Sequence, residues 1–255
     1  MARKIVVTSG KGGVGKTTLA VNLGAALARR GERVIVCDAD FGLNNADVVA
    51  GVENLVAYDI VDVIEGRCRA EQALVRHPDY VNLYLLASHS APERYISPQA
   101  LKLVLEGLAP KYDFILIDCP AGIDEGFHRA VASAEEAVVV TTPHLPSLRD
   151  ADKVVTILKS YELKQITFVV NMLRGDLLVS GESLSAKEIE SVLKIPLLGV
   201  VPESRDLYLN QLSESARAFK ILANNLLTGK KRTLDVTKRY VGAMGGLRRF
   251  LKKGL

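Results

Sequence analysis

Short apolar runs alternate with longer segments of helical periodicity along most of the chain. Almost every position in the short runs is apolar. Strands that are buried on both faces of a parallel sheet have this continuous pattern, whereas half-exposed strands alternate apolar and polar positions. The predicted strands are residues 4–8, 33–38, 82–87, 114–118, 137–142, 166–171 and 197–201.

Helical segments lie between these runs. The predicted helices are residues 17–30, 98–108, 147–161 and 186–193, and Gly31 is expected to cap the first of them. Alternating strands and helices are typical of an α/β domain whose parallel sheet is covered on both faces. We therefore predict one doubly wound, mainly parallel sheet flanked by helices.

The polar residues that directly follow the strands are the first candidates for a functional site. In open α/β sheets, ligands bind at the carboxyl ends of the strands. The candidates at these positions are residues 10–18, Asp38, Asp40, Asp118, residues 141–143 and Asn171. A parallel sheet would bring all of them to one end of the domain.

Composition is that of an ordinary globular protein. Of the 255 residues, 48% are hydrophobic and 24% are charged, and a chain of this length can form one large α/β domain. No apolar run approaches the roughly 18–20 residues that cross a bilayer. The N-terminus leads directly into the first strand, so we expect no secretory signal. Three scattered cysteines, Cys37, Cys68 and Cys119, favour a reduced cytosolic protein without a disulfide framework.

The net charge of +4 hides an uneven distribution. Residues 230–255 carry nine lysines and arginines and one acid, Asp235, whereas residues 1–229 carry 24 basic and 28 acidic side chains. A basic segment of net charge +8 on a body of net charge −4 indicates that the segment has its own anionic partner. We predict a catalytic domain at residues 1–229 and a basic linker with an amphipathic helix at residues 230–255.

A glycine-rich loop follows the first predicted strand and precedes the first predicted helix. It fits G-x-x-x-x-G-K-[ST], a pattern in which backbone N–H groups and the helix N-terminus surround phosphate oxygens. Lys16 is expected to reach the β- and γ-phosphates, and the Thr17 hydroxyl is expected to coordinate Mg²⁺. The predicted nucleotide-binding residues of the loop are Gly10, Lys11, Gly12, Gly13, Val14, Gly15, Lys16, Thr17 and Thr18.

The same glycines also fit the dinucleotide pattern G-x-G-x-x-G, with Asp38 in the position of a ribose-binding acid. Two features favour the P-loop instead. A pyrophosphate packed against helix backbone does not need the Lys16–Thr17 pair. In addition, Asp118 ends an apolar strand as the acid of a Walker B motif does, and a nicotinamide enzyme does not need that acid.

Lys11, a second lysine within the loop, resembles the additional lysine of the deviant Walker A motif in the MinD/ParA family of ATPases. Residues 37–43, 118–123 and 147–152 resemble other motifs of that family, and the resemblance covers nearly the whole chain. It implies a P-loop NTPase fold, binding of ATP and Mg²⁺, and an ATP-dependent homodimer that hydrolyses ATP.

The resemblance also implies a role for each matching residue. Lys11 would reach across the dimer to the partner's nucleotide, Lys16 would hold the phosphates, and Asp40 would orient the attacking water, so these three are the predicted catalytic residues. The predicted metal-binding residues are Thr17, Asp38 and Asp118, and Asp38 would support the switch motif at residues 37–43 as well as the metal. The predicted adenine contacts are Asn171 and Pro202. From spacing alone, Asn171 fits equally well as a turn residue at the end of a strand.

The C-terminal segment has the pattern of a basic amphipathic helix from about residue 245 to residue 253. Such a helix lies in the headgroup plane and favours anionic lipid. The predicted membrane-binding residues are Met244, Leu247, Arg248, Phe250, Leu251 and Lys252. Gly242, Gly245 and Gly246 reduce helix stability in water, so we expect a tail that is disordered in solution and folds at a surface. The alternative is a C-terminal helix packed on the core.

Within the family, the resemblance is to the branch that places the bacterial division site. It implies recruitment of a division inhibitor of the MinC type and a partner that stimulates hydrolysis or serves as a polar scaffold. Asp152 is a candidate contact for these partners, although a solvated helix charge is an equal alternative. The expected location is the cytoplasm, with peripheral binding to the inner face of the cell membrane in the ATP state.

Three alternative functions remain at this point. A DNA-partitioning ATPase of the ParA type would also use lysines and arginines, but it does not require an apolar stripe. A regulator of flagellar number usually carries an additional N-terminal segment. An iron–sulfur carrier would require a suitable pair of cysteines, which the sequence does not offer.

Overall fold

The computed structural model describes residues 1–88, 96–204 and 214–242. Within these ranges the chain forms one eight-stranded sheet in the order β3-β4-β2-β5-β1-β6-β7-β8. Every neighbouring pair is parallel except β3 and β4, which are antiparallel. The strands are β1 Arg3–Thr8, β2 Val34–Asp38, β3 Leu74–Arg76, β4 Leu83–Leu86, β5 Phe114–Asp118, β6 Glu136–Thr141, β7 Gln165–Leu173 and β8 Leu197–Pro202.

Helices cover both faces of this sheet. The helices are α1 Lys16–Ala28, α2 Ala46–Ala50, α3 Ile60–Ile64, α4 Pro98–Leu108, α5 Glu125–Ala132, α6 Leu145–Leu158, α7 Gly175–Ser180, α8 Ala186–Leu193 and α9 Glu214–Thr228. Apolar residues of α1, α2 and α9 pack on one face, and those of α3, α4, α5, α6 and α8 pack on the other. The predicted doubly wound, mainly parallel sheet flanked by helices is therefore confirmed.

Most predicted elements are present, with shifted ends. Helix α1 ends at Ala28 with Arg29 as its cap, and Gly31 follows with a φ of 95°. Gly31 thus has the left-handed conformation expected of a capping glycine, but it lies two residues beyond Arg29, which caps the helix. Helix α6 begins two residues earlier than predicted because Pro146 fits the first turn, where no backbone N–H is needed.

The short antiparallel strand β3 was not predicted. It has only three residues, of which Leu74 and Arg76 are not buried, so it lacks the continuous apolar run that marks the central strands. These three residues are held in the strand conformation by their pairing with β4, which local sequence does not reveal. The predictions for strands were therefore reliable only where both faces of the strand are buried.

Residues 229–242, which we call the strap, pack against the domain. The backbone N–H of Arg232 donates to Oδ1 of Asn225 at 3.2 Å, and Asn225 Nδ2 donates to the Arg232 carbonyl at 2.7 Å. Further along, Val236 is only 8% exposed. A Cβ on Gly175 would lie 1.9 Å from the Val236 carbonyl oxygen, so the strap touches the start of α7.

The strap changes the picture of the basic segment. Its residues lie within the part of the chain that was predicted to be a linker, and they contact the domain rather than extending from it. The boundary at residue 229 and the membrane-binding residues Met244, Leu247, Arg248, Phe250, Leu251 and Lys252 stay predictions; these six lie outside the described residues. In the described ranges, no helix has the length and apolar character needed to span a bilayer.

Candidate nucleotide site

The phosphate loop connects β1 to α1 at the carboxyl end of the sheet. Gly13 and Gly15 have φ values of 76° and 86°, a conformation that side chains with a Cβ rarely adopt. Gly15 precedes α1 and offers no side-chain cap, so the first N–H groups of the helix stay available for an anion. Lys16 begins the helix and is 9% exposed, whereas Lys11 is exposed. The loop therefore has the shape and the donors of a phosphate cradle.

Three contacts that the sequence did not reveal hold the loop in place. Ser9 Oγ donates to the Lys11 carbonyl at 2.7 Å. Asn171 Nδ2 donates to the Val14 carbonyl at 2.8 Å. Gly10 lies so close to α6 that an added Cβ would be 2.4 Å from the Asp150 carbonyl oxygen. The only sequence signal for these contacts is the position of each residue beside a strand end or a motif.

Asp38 and Asp118 end the neighbouring strands β2 and β5, where they are register partners. Burial raises the pKa of Asp118 to about 7; the charge of Asp38 acts in the same direction, and a hydrogen bond with Thr17 opposes both. Burial likewise raises the pKa of Asp38 to about 6, against three backbone hydrogen bonds. The structure therefore brings two acids and the P-loop threonine together at one end of the sheet.

The oxygens of Asp38 hold the loop that follows β2. Oδ1 accepts from the backbone N–H of Asp40 at 2.9 Å, and Oδ2 accepts from Asn45 and Ala46 at 3.0 and 3.1 Å. Asp40 in turn accepts at Oδ1 from Leu43 N at 2.9 Å. These bonds order residues 38–46 as one switch segment, in which Asp38 is the buried anchor and Asp40 lies nearer the surface.

Asp118 differs from Asp38 in its hydrogen bonding. Its Oδ1 is buried, and no hydrogen-bond partner for it occurs in the described ranges. A buried oxygen of this kind is suited to a metal ion or to a water bound by one. The geometry thus fits Mg²⁺ at Asp118 and Thr17, whereas the bonds of Asp38 make it a support for the switch segment.

The predicted adenine contacts also lie at this end of the sheet. Asn171 is in β7 and is buried, and Pro202 ends the adjacent strand β8 as the register partner of Leu173. Asn171 is not a simple turn residue, because its side chain reaches the P-loop. The strand continues for two residues beyond it, through Met172, whose φ is 55°. The structure therefore places Asn171 beside the P-loop, and its contact with adenine stays a prediction.

The structure also describes the environment of two further residues that the sequence analysis named, Cys119 and Asp152. Burial raises the pKa of Cys119 to about 12, so the thiol beside Asp118 is protonated and unreactive at neutral pH. Asp152 is exposed on α6, the helix that touches Gly10. A ligand bound at Asp152 would therefore contact the same helix that packs against the phosphate loop.

Comparison with known proteins gives consistent matches. The family model of the CobQ/CobB/MinD/ParA nucleotide binding domain matches residues 5–215. The septum site-determining protein MinD of Thermotoga maritima is 40% identical over 94% of this chain and 97% of its own length. The MinC:MinD cell division protein complex of Aquifex aeolicus contains a chain with a TM-score of 0.84 and 37% identity, over 91% of this chain and 98% of that one.

A second solved structure carries a nucleotide. It is the septum site-determining protein MinD of Pyrococcus horikoshii complexed with Mg-ADP, with a TM-score of 0.80 and 35% identity. The alignment covers 89% of this chain and 97% of that one. The match therefore extends over nearly the whole domain that surrounds the phosphate loop.

Proposed function

Because this chain belongs to the CobQ/CobB/MinD/ParA family of nucleotide-binding proteins, we propose that it is a MinD-type ATPase that positions the site of cell division. The observation that carries the proposal is a P-loop with a second, exposed lysine, Lys11, at the same end of the sheet as the buried acids Asp38 and Asp118. Full-length similarity to a septum site-determining MinD supports the biological role. The cofactors are ATP and Mg²⁺, in agreement with the Mg-ADP bound by the Pyrococcus protein.

In this proposal the residues of the site divide the work of phosphoryl transfer. Backbone N–H groups of residues 10–18 and the Lys16 ammonium hold the phosphates. Thr17 and Asp118 hold Mg²⁺, which would neutralise charge on the β- and γ-phosphates when bound. Asp38 keeps the switch segment ordered, and Asp40 within that segment orients the attacking water. Asn171 binds the adenine, and Pro202 packs near the ring.

Lys11 acts on a second protomer. Its side chain is exposed and therefore accessible to a second protomer, and the Ser9 hydroxyl holds the backbone of the loop at the Lys11 carbonyl. Across a face-to-face homodimer, the ammonium would neutralise charge on the transferred phosphoryl group of the partner's nucleotide. This is the electrostatic contribution that an arginine finger makes in related hydrolases.

Membrane binding follows from the dimer. Met244, Leu247, Arg248, Phe250, Leu251 and Lys252 form the membrane-binding surface of each tail. Each basic residue near an anionic leaflet contributes on the order of 1 kcal/mol, but ordering a segment of about ten residues costs roughly 1–2 kcal/mol per residue. One tail therefore binds weakly, and two tails on one dimer gain from effective concentration. The protein would leave the cytoplasm for the inner face of the membrane in its ATP state.

Partner binding is assigned to the surface of α6. The Aquifex relative forms a complex with MinC, and we propose that this chain likewise recruits a division inhibitor of that type. Asp152 is exposed on α6 and is the candidate contact. A partner that stimulates hydrolysis, or a polar scaffold, would use an overlapping surface, because α6 abuts the phosphate loop at Gly10.

Vesicle sedimentation tests the nucleotide switch. The full chain is mixed with vesicles that contain phosphatidylglycerol, in the presence of Mg-ATP or Mg-ADP. We expect the ATP state to sediment with the vesicles and the ADP state to stay largely in solution. Equal sedimentation in both states would contradict an ATP-dependent membrane switch.

Two variants separate lipid from DNA as the anionic partner. Phe250→Asp removes part of the apolar stripe and should abolish sedimentation with vesicles while leaving any binding to duplex DNA unchanged. Reversing the charges of Lys252 and Lys253 should weaken both. DNA binding that depends on ATP in the absence of vesicle binding would favour a partitioning ATPase and overturn the proposal.

A further inference from the structure

A groove of about 810 Å³ lies between the strap and the outer end of the sheet. One wall is formed by strap residues Leu234 and Val236, and the other by β7, β8, α7 and α8. Its volume is within the range of sites that hold a ligand or a few side chains. This groove is separate from the phosphate loop and has no role in the chemistry proposed above.

The groove exposes apolar surface that the core does not cover. Leu178, Leu197 and Leu234 line it, and each is only partly buried against the core. Ala186, the first residue of α8, lines the same wall and leaves room where a larger side chain would fill the space. Apolar surface gathered in a concave site of this kind favours an apolar occupant.

The chain itself supplies a candidate occupant close by. Thr237 lines the groove, Tyr240 contacts the position of Gly175, and the described chain ends at Gly242. Thirteen residues follow, and Leu247 lies ten residues beyond Thr237. Since an extended chain spans about 3.3–3.6 Å per residue, this stretch is long enough to turn back to the groove.

The sequence of those residues matches the groove in character. Leu247, Phe250 and Leu251 form an apolar stripe. Glu190 and Asp235 lie at the groove and can receive the basic residues that flank the stripe, but Lys187 and Lys231 lie there as well. The groove is thus nearly balanced in charge, and its apolar lining is what selects this segment over a polar one.

We propose that the groove is the intramolecular docking site for the apolar stripe Leu247, Phe250 and Leu251 when no membrane is present. The docked tail hides the side chains that would enter the bilayer, so membrane binding competes with docking. This inference rests on the proposed function for its consequence at the membrane, although docking itself does not require it. It replaces the expectation of a disordered tail with one that is held against its own domain.

A single tryptophan tests the docking directly. The chain has no tryptophan, so Phe250→Trp in the full chain gives one reporter on the stripe. In Mg-ADP without lipid, we expect its emission at shorter wavelength than that of N-acetyl-tryptophanamide in the same buffer. Emission that matches the free reference would overturn the proposal.

Two second-site variants identify the groove as the binding site. Ala186→Gln places a longer polar side chain in the groove at a helix position that tolerates it, and it should shift the emission of the tryptophan reporter to longer wavelength. Val192→Gln on the same helix is the control, because Val192 is 47% exposed and does not line the groove. If Ala186→Gln has no effect, or if dilution alone shifts the emission, the stripe is bound elsewhere or by a second copy, and the inference is wrong.

Vesicles separate this inference from the proposed function. In the otherwise native chain with Mg-ADP, Ala186→Gln should increase the fraction that sediments with phosphatidylglycerol vesicles, and Val192→Gln should not. If the native chain binds vesicles in neither nucleotide state while the fluorescence shifts occur, the proposed membrane role fails and the docking stands. If vesicle binding depends on ATP but Ala186→Gln changes neither measurement, the docking fails and the proposed function stands.

Discussion

The carboxyl groups of Asp38 and Asp118 are buried at the ends of adjacent strands, in a domain whose main task at that point is to hold phosphate and metal. When both acids are ionised and no cation is present, they destabilise the folded state, since burial and mutual repulsion both disfavour the charged forms. The metal-free protein therefore keeps a local instability that a cation removes.

This instability predicts how stability depends on pH. The pKa of Asp118 is about 7 in the folded protein, above its ordinary value of 3.8. Ionisation thus disfavours the folded state, and its effect grows as pH rises from about 4 to about 7 and is complete above that. In metal-free protein, Asp118→Asn should raise Tm more at pH 8 than at pH 5. The gain should be a few degrees, since about 1 kcal/mol corresponds to about 2–4 °C in a domain of this size.

Thermal unfolding followed by circular dichroism, with and without Mg²⁺, measures this effect. Mg²⁺ should stabilise the native chain at pH 8 and should do little for Asp118→Asn. Asp152→Asn is the matched control because Asp152 is exposed on α6. A gain for Asp118→Asn that is the same at both pH values would contradict the raised pKa.

At the residue scale, sequence motifs identified which residues belong to the site, but they did not predict the hydrogen bonds that those residues make. The sequence predicted Asp118 and Thr17 as neighbours because P-loop and strand-end positions converge in a parallel sheet. The family resemblance gave Asp38 the additional role of supporting the switch, but the apolar pattern alone did not distinguish it from Asp118, since both residues end apolar strands. The difference arises from three backbone N–H groups that turn toward Asp38, and backbone direction in a loop is not encoded in residue type.

The contact between the phosphate loop and α6 is a feature of two elements. Gly10 lies against the backbone of Asp150, where no side chain fits. The glycine pattern that suggested a phosphate cradle therefore has two physical origins. Gly13 and Gly15 serve the loop conformation, whereas Gly10 allows a helix to pack closely.

Gly10→Ala should push the phosphate loop and α6 apart and destabilise the domain. The added methyl group overlaps the Asp150 carbonyl, and overpacking of this kind typically destabilises by about 1–3 kcal/mol. Gly107→Ala is the control, because Gly107 lies in α4 and an added Cβ there has nothing within 4 Å. That control should instead stabilise by about 0.5–1 kcal/mol. Urea denaturation measures both, and equal effects would contradict the close contact.

For elements, sequence prediction succeeded where burial imposes a pattern. The bounds of α4 and α8 were predicted correctly, since Ser97 and Ser185 cap their N-termini and apolar residues repeat along one face. Strand β3 was missed because three residues carry too little pattern. Pairing between distant segments, such as Asn171 with Val14, depends on tertiary approach and was beyond the reach of local periodicity.

At the scale of the molecule, the strap decides where the domain ends. The charge pattern predicted a boundary at residue 229, yet Val236 is buried in the core and Leu234 packs partly buried against it. Composition marks the point where the charge changes and does not reveal a buried apolar residue between basic ones. The boundary at residue 229 thus stays a prediction, and we expect the strap to contribute to the stability of the domain on which it packs.

Two truncations test this contribution. A chain that ends at Gly242 keeps the strap and loses only the docked stripe, so its Tm should lie slightly below that of the full chain. A chain that ends at Gly229 should be less stable, because each apolar side chain that is fully removed from its contacts costs roughly 1.5–3 kcal/mol. Differential scanning calorimetry measures both, and equal Tm values for the two truncations would show that the strap contributes nothing.

The strap also has a consequence for association between molecules. The Leu198 carbonyl in β8, the last strand of the sheet, accepts a hydrogen bond from Asn225 Nδ2 at 2.9 Å, and the same amide nitrogen holds the strap at Arg232. An outer strand with free backbone groups can pair with a strand of another molecule and start aggregation. The opposite outer strand, β3, is too short to do so readily. Arg232 of the strap lies close to Gly199 in β8 and shares Asn225 with Leu198. We therefore expect that a chain without the strap would leave this part of the outer strand open to self-association even while its phosphate loop stays intact.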